Sequence, residues 1–584
     1  MSVRVRRPTR AERLAQAMWW VDHPVAPVRM LLDAGILTEH PGKDKLCLSE
    51  VLEAVWARAH HGTGRRRALS IRTLLVGLHL ARSWEGTSFL HDGYCELERL
   101  EPEERHALGI GSRTSLTKRR FDYLWGEVVA TFDPEPVPSR RLGEAFPTYE
   151  DKVGAAARPA DDADRLASWR RIVTTTACLA GVPDELLTGT VHVAVDWTDH
   201  DTWSRPVAKD SVVFAADPQA KWGSRRNKAV GERRDPSFGY DRTTVTLLPK
   251  VGGEPVPEVV LFSDLLPASP TESANVWLAV DAIELLVAFS LSIGDVVVDM
   301  AYPLVPGFAE RLVLLGVKPV FHPHTADRGP HGTHKGAVMI NGHPYCPMTP
   351  EPLRSIGKGV RFTKDHAEDA KGMEPQVKQL EAYRLEDRGK GRSPGSVRVA
   401  CPARAGNVAC PLYPPSMARA AQVPVVEPDE ETVAAHHQAC TQRDVTVPLS
   451  ARDKYAQDGV PFTKSHNKRY FRRSGVERGY AKDKDRAQGS IVRGDIRTMG
   501  RTKIGFLLAV HHGAQNVADL WTRATYAAGE VMATFKRAAT KLRGRSMAGE
   551  LATLAARLVP WVPAGTDLAV LFGGQQLADT GPPT

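Results

Sequence analysis

The stretch TVHVAVDW, residues 190–197, is short, β-branched and alternating, and its reading decides the fold. Val191, Val193 and Val195 fall on one face of a strand, because successive side chains leave the pleat on opposite sides. Asp196 then lies on the other face, at the strand's end. Two more strands are expected at YDRTTVTLLPK (240–250) and VPEVVLFSD (256–264), joined by the turn-like VGGEP (251–255). A long apolar helix follows, SANVWLAVDAIELLVAFSLSI (273–293). After it come a buried strand, DVVVDM (295–300), the helix LVPGFAERLVLLG (304–316) and the strand VKPVFH (317–322). Three strands, helix, strand, helix, strand predicts an α/β fold whose mixed sheet is flanked by helices.

Residues 1–130 have apolar spacing of helical period, as in SIRTLLVGLHLARS (70–83) and RFDYLWGEVVATF (120–132). DPEPVPSRRL (133–142) is a Pro-rich linker. Residues 323–463 are loop-rich, with short strand-like pieces such as GSVRVACP (395–402). Helices return near 465 and are expected at TKIGFLLAVHHGAQNVADLW (502–521) and VMATFKRAATKLRGR (531–545). A chain of 584 residues is too long for one ordinary core. Its expected division is a helical N-terminal domain (1–135), a linker and helix (136–187), the first half of the α/β core (188–322), an inserted domain (323–463), the second half (464–545) and a weakly periodic tail (546–584).

The composition, 42% hydrophobic and 25% charged, is that of a soluble globular protein. No run approaches the roughly 20 apolar residues of a membrane span, and the basic start lacks the apolar core of a secretory signal. Seven cysteines without a close CxxC pair argue against a disulfide framework. The expected location is the reducing cytoplasm. Lys and Arg outnumber Asp and Glu by 77 to 68, and the cations bunch in the N-terminal arm, GRRRALS (64–70), TKRRF (117–121), KWGSRRNK (221–228) and SHNKRYFRRSGVERGYAKDKD (465–485). Such clusters suggest a polyanionic partner, although an arginine-rich composition explains any one of them equally well.

Asp299 ends the strand DVVVDM as Asp196 ends its own, while Asp295 lies at the strand's start, roughly 13 Å away. Ligand sites of α/β sheets lie beyond strand ends, so Asp196 and Asp299 meet if their strands are neighbours. Asp199 and Asp201 of DWTDHD are rivals; Asp196 is preferred because it belongs to the strand and they are expected on the following loop. In 465–485 a single glutamate, Glu477, stands among lysines and arginines. On a continuous helix Tyr470, Arg473, Glu477 and Lys484 share a sector of about 60°. A solvated charge face needs no such alignment. A face that turns a carboxylate toward a metal and cations toward phosphates does.

The spacing Y-(2)-R-(3)-E-(6)-K in YFRRSGVERGYAKDK resembles the signature of the DDE transposases of bacterial insertion sequences, the YREK group. Asp196 after a hydrophobic first strand, and Asp299 after the first long helix, match that family's two aspartates. RTMGRTKIGFLLAVHHGAQNV (497–517) resembles the helix that follows the family's glutamate. The resemblance covers about 188–322 and 464–525, the two halves of an RNase H-like core, with 323–463 where this group carries a β-rich insertion. One departure is Ala301 in DMAYP, where the family often has glycine.

The resemblance implies a transposase that binds the ends of an insertion sequence and performs metal-dependent strand cleavage and transfer. Asp196, Asp299 and Glu477 would hold two Mg²⁺ ions, or Mn²⁺ in their place, about 3.5–4 Å apart. Tyr470, Arg473 and Lys484 would bind phosphates near the cleaved end. Lys468, Arg469 and Arg472 would add attraction for the DNA backbone. Double-stranded DNA, both terminal repeats and target, is the implied partner, with a homodimer pairing two ends on the nucleoid. The helical N-terminal region is the candidate reader of the terminal repeats. Two alternatives stay open: an RNase H-like nuclease or resolvase without strand transfer, and a domesticated, inactive DNA-binding protein.

Cys346, Cys401, Cys410 and Cys440 could bind a structural zinc, as could His322, His324, His331 and His334. Their spacings match no standard zinc module, and three of the cysteines precede proline. Independent structural roles are the expectation. Trp197 and Trp203 lie close to Asp196 and could stack on a base, but core packing is expected of them.

Overall fold

The computed structural model describes residues 8–60, 67–84, 90–111, 116–138, 146–206, 215–223, 236–253, 256–268, 271–358, 373–484 and 491–541. The tail 546–584, the first seven residues, and the arginines at 65, 66, 225 and 226 lie outside the described residues.

The N-terminal region is helical as expected, with the addition of a small antiparallel hairpin, β1 (Pro24–Pro27) with β2 (Lys45–Cys47). The central sheet is built from β3 (Thr190–Asp201), β4 (Lys221–Gly223), β5 (Ser237–Leu248), β6 (Val260–Pro267), β7 (Ser292–Val297) and β8 (Lys318–Val320). The strands run in the order β4-β5-β3-β7-β8, and β6 also pairs with β5. β3 and β6 each run antiparallel to β5, whereas β7 joins β3, and β8 joins β7, in parallel. Helices Glu272–Ala288 and Phe308–Leu314 make the two crossovers. The sheet is therefore mixed, as the element order predicts.

Two strand ends differ from the sequence reading. β3 runs four residues past Trp197, so Asp199 and Asp201 stand on the strand and not on a loop. Its pairing with β5 is unbroken from His192↔Leu248 to Asp201↔Gly239. Glycine at 239 permits this, since a Cβ there would come within 2.2 Å of the His200 carbonyl oxygen. β7 starts at Ser292 and stops at Val297, leaving Asp299 two residues beyond its end.

One hydrophobic cluster runs from the N-terminal helices (Trp20, Leu75) through the sheet (Val193, Val195, Val245, Phe262) into the last helix (Phe506, Leu508). That helix is continuous from Arg501 to Lys541 where two were expected. The intervening TRATYAAGE contains no proline to break it. It lies close against the helix Ala160–Leu179 because both approach on glycine: a Cβ on Gly181 would sit 2.3 Å from the Gly513 carbonyl oxygen. A Cβ on Gly513 would meet Trp20 Nε1 and the Ala177 carbonyl oxygen, both at 2.4 Å, and Trp20 Nε1 donates to that carbonyl at 2.9 Å. Asn516 completes the seam. Its amide nitrogen donates to Cys178 O (3.1 Å) and Val260 O (2.8 Å), and its oxygen accepts from Val260 N (2.9 Å). Gly513→Ala is expected to cost about 1–3 kcal/mol by overpacking, read as a lower urea midpoint; an unchanged midpoint would show that the seam has slack.

Residues 323–463 form two small three-stranded antiparallel sheets, β9 (Pro330–His334), β10 (Ala337–Ile340) and β11 (His343–Tyr345), then β12 (Glu386–Lys390), β13 (Val397–Ala400) and β14 (Val445–Val447). They enclose hydrophobic clusters of their own. No helix among the described residues is long and apolar enough to cross a membrane.

Candidate functional site

β3 and β7 are parallel neighbours with Ala194 opposite Val297. Carrying that register two residues further sets Asp196 level with Asp299. Strand alternation puts Asp196 on the face of Ala194 and turns Asp199 and Asp201 to the other face. Ala194, Val297 and Val320 are covered by Tyr470 and Val476 of the motif segment, with Tyr480 packed beside them. Asp196 is thus distinguished from Asp199 and Asp201 by face, not by strand membership.

The motif segment is less regular than one continuous helix. Helix Lys464–Tyr470, capped by Thr463, leads into a 3₁₀ turn, Phe471–Arg473, and then helix Ser474–Lys482. Asp483 caps that helix and Lys484 lies beyond it. The common sector of four residues is therefore lost at Lys484, which is exposed and acts electrostatically on Asp201.

Arg473 stands at the centre of the site. Its Nη1 lies 3.3 Å from Asp196 Oδ2 and its Nη2 donates to Glu477 Oε1 at 2.8 Å. Burial would lower its pKa, but Asp299, Tyr470, Asp196 and Glu477 outweigh burial and hold it above the ordinary value. Asp196 Oδ1 accepts from Trp197 N (2.9 Å) and Asp299 Oδ1 from Met300 N (2.7 Å), so one oxygen of each carboxylate is fixed by its own backbone. Glu477 is the exposed member, its side chain 56% accessible against 19% for Asp196. The three carboxylates do not close to within 4.8 Å of one another; the guanidinium lies among them.

Three tyrosines border this cluster. Tyr470 is buried with its ring 4.1 Å from that of His322, and burial pushes its phenol up to about 12, with Arg473 opposing and Asp299 reinforcing the shift. Tyr480 was not singled out in the sequence, although it follows Glu477 by three residues and so shares its helix face. Its hydroxyl donates to Asp196 O (2.6 Å) and accepts from Thr244 Oγ1 (2.8 Å). Tyr302, also missed, is fully buried with no hydrogen-bond partner for its hydroxyl among the described residues. Burial, Asp196, Tyr480 and Asp299 all raise its pKa.

Most of the remaining cations are engaged internally. Arg469 Nη2 lies 2.6 Å from Asp295 Oδ1 and Arg472 pairs with Asp295 Oδ2. Arg472 also donates to Pro249 O at 2.8 Å. Burial pushes the Asp295 carboxyl up, but His192, Arg469 and Arg472 overcome it and hold it below the usual carboxylate range. These two arginines therefore dock the motif helix on the sheet, a role the sequence reading did not foresee when it assigned them to DNA. Arg478 and Lys482 pair with Glu258 (2.6 and 2.7 Å). Lys468 is exposed. Asp295→Ala is expected to destabilise the fold by about 3 kcal/mol, because it strands two partly buried guanidiniums. A wild-type denaturation midpoint would refute the docking role.

A second polar cluster lies behind the first. Asp483, His511 and His512 bring ligand atoms within 4.8 Å of one another, but Arg242 already supplies the cation, with Nη2 2.6 Å from Asp483 Oδ2. The group reads as a buried ion pair joining β5, the end of the motif helix and the last helix. Trp197 packs against Tyr302, ring centroids 4.8 Å apart, as expected of a core residue. Trp203 instead is 42% exposed, with the Arg497 guanidinium 5.1 Å from its ring. The histidines at 322, 324, 331 and 334 are not gathered: His331 stacks on Tyr455 at 4.1 Å and His334 bonds Thr446 O at 3.1 Å.

No protein-family model matches the chain, and no curated protein matches it significantly.

Proposed function

We propose that the chain is a DNA transposase that cleaves and joins DNA strands by DDE chemistry on an RNase H-like core. The observation that carries this reading is the approach of Asp196, Asp299 and Glu477 to one guanidinium, Arg473, from the middle of β3, the turn just beyond β7 and a helix docked over them. The Y-(2)-R-(3)-E-(6)-K spacing supports it independently.

The donor set fits divalent cations: three carboxylates with hard oxygens, two of them pinned on one oxygen by backbone N–H groups. Asp196, Asp299 and Glu477 would hold two Mg²⁺ ions, or Mn²⁺ in their place. Bound there, the ions would supply activation of a water or 3′-hydroxyl and stabilisation of the leaving oxygen. Arg473 neutralises the carboxylates in their absence and is the group that turns to a DNA phosphate, for which its planar fork is suited. Tyr470 holds the base of that arginine's turn. Lys468 offers an exposed charge to the duplex, and a homodimer would pair two DNA ends.

The test is incubation of the purified chain with duplex DNA carrying the flanks of its own coding sequence, in Mg²⁺, together with a target plasmid. Cleavage to 3′-hydroxyl ends and joining to the plasmid are expected. Cleavage without joining would assign a nuclease or resolvase, and binding without cleavage a DNA-binding protein that has lost activity. Neither binding nor cleavage, in Mg²⁺ or Mn²⁺, would remove the nucleic-acid reading altogether.

A further inference from the structure

Cys346, Cys401, Cys410 and Cys440 are spread over 95 positions of the inserted domain, yet three of them build the same local structure. In Cys346-Pro347-Met348-Thr349, Cys401-Pro402-Ala403-Arg404 and Cys410-Pro411-Leu412-Tyr413, the fourth residue's N–H donates to the cysteine carbonyl, at 3.0, 3.0 and 2.9 Å. Proline sets the second position of each turn by fixing φ. Three Cys-Pro turns of one form are not required by the packing of small apolar residues.

The fold brings these turns to one place. The Arg404 guanidinium, from the second turn, lies 4.7 Å from the Tyr413 ring of the third. The same arginine donates through Nη2 to Thr441 O at 3.1 Å, one residue past Cys440. Cys346, Cys401 and Cys410 are buried in a single cluster with Tyr345, Val408 and Val426. All four thiols are free of disulfides. Burial pushes the Cys346 and Cys401 thiols up. The Met348 N–H beside Cys346, and the Ala403 and Arg404 N–H groups beside Cys401, act in the opposite direction. Thr441 follows Cys440 directly, so the Arg404 bond sets the fourth cysteine beside the second and third turns.

We infer that Cys346, Cys401, Cys410 and Cys440 form a structural Zn²⁺ site that staples the inserted domain. Four thiolates with no open position suit a closed tetrahedral zinc centre. No three of the sulfurs lie within 4.8 Å of one another; convergence on one ion, with Zn–S bonds of about 2.3 Å, closes that gap. The site reverses the expectation from spacing alone, because the ligands come from three separate turns and a short helix, Gln438–Thr441, and not from a contiguous module. It does not rest on the transposase reading.

The full-length chain, purified under reducing conditions, should carry one equivalent of zinc by elemental analysis. Replacing it with Co²⁺ should produce the intense near-ultraviolet thiolate charge-transfer band and visible bands of a tetrahedral site. Cys440→Ser, the least buried ligand, should lose that near-ultraviolet intensity in part and release zinc to a chelator more than tenfold faster. A Cys47→Ser, Cys95→Ser, Cys178→Ser triple variant should keep the full spectrum. Should Cys440→Ser fail to fold, the cobalt spectrum of the unmutated chain decides. Zinc at background with four reactive thiols, a cobalt spectrum without thiolate charge transfer, or disulfides among the four would each overturn the site.

Discussion

Glu477→Gln is expected to unfold at the wild-type midpoint and to lose Mg²⁺-dependent DNA cleavage by about three orders of magnitude. The first half follows from exposure. The Glu477 side chain is 56% accessible and its contact with Arg473 is an i, i+4 ion pair, a class worth less than about 1 kcal/mol. The second half follows from charge. A metal-holding carboxylate supplies several kcal/mol of transition-state stabilisation, and about 1.4 kcal/mol corresponds to a factor of ten in rate. Glutamine preserves shape and removes only the charge. DNA affinity without metal should change little, which separates loss of chemistry from loss of binding. A variant that cleaves like the wild type would exclude Glu477 from the site and leave the motif spacing a coincidence.

Lowering the pH from 7 to 5 is expected to reduce the unfolding free energy by several kcal/mol. Burial pushes His79, His200 and His466 down to about 3, and His511 down to about 4. In the unfolded chain each returns to about 6.5. Between those values the unfolded state binds protons that the folded state refuses, so stability is complete above pH 6.5 and falls as the pH drops toward 4. At pH 5 the loss is about 2 kcal/mol per histidine. Asp133 and Asp217 oppose the trend, since burial raises their carboxyl pKa values. Urea midpoints at pH 7, 6 and 5 measure the balance. A flat profile would mean that these histidines open to solvent before the fold does.

How much of this was readable in the sequence depends on whether the signal was local. Alternation in TVHVAVDW locates β3, and β-branched runs locate β5 and β6, because side-chain period is a property of one strand. The continuation of β3 to Asp201 was hidden, since it needs the glycine at 239 on the neighbouring strand. What sets Asp196 apart from Asp199 and Asp201 is pleat parity, which puts it on the face the motif segment covers, and not strand membership, which all three share. Helical spacing linked Tyr470, Arg473 and Glu477, yet could not anticipate the 3₁₀ turn or the cap at Asp483 that separates Lys484. The engagement of Arg469 and Arg472 was invisible because Asp295 lies more than 170 residues away. Basic residues look alike in sequence whether they face solvent or a buried carboxylate.

The seam at Gly513 also bears on how the chain is made. Trp20 reaches the Ala177 carbonyl across 157 residues, and Asn516 reaches Cys178 across 338. The ribosome therefore releases the N-terminal helices and the whole sheet while the groove that receives the last helix is still open. Apolar faces of residues such as Val173 and Leu261 stay uncovered until the segment around Phe506 emerges. Long-range closure of this kind is slow and exposes the nascent chain to aggregation. A chain interrupted before residue 500 should be held by chaperones or degraded, whatever the state of its sheet.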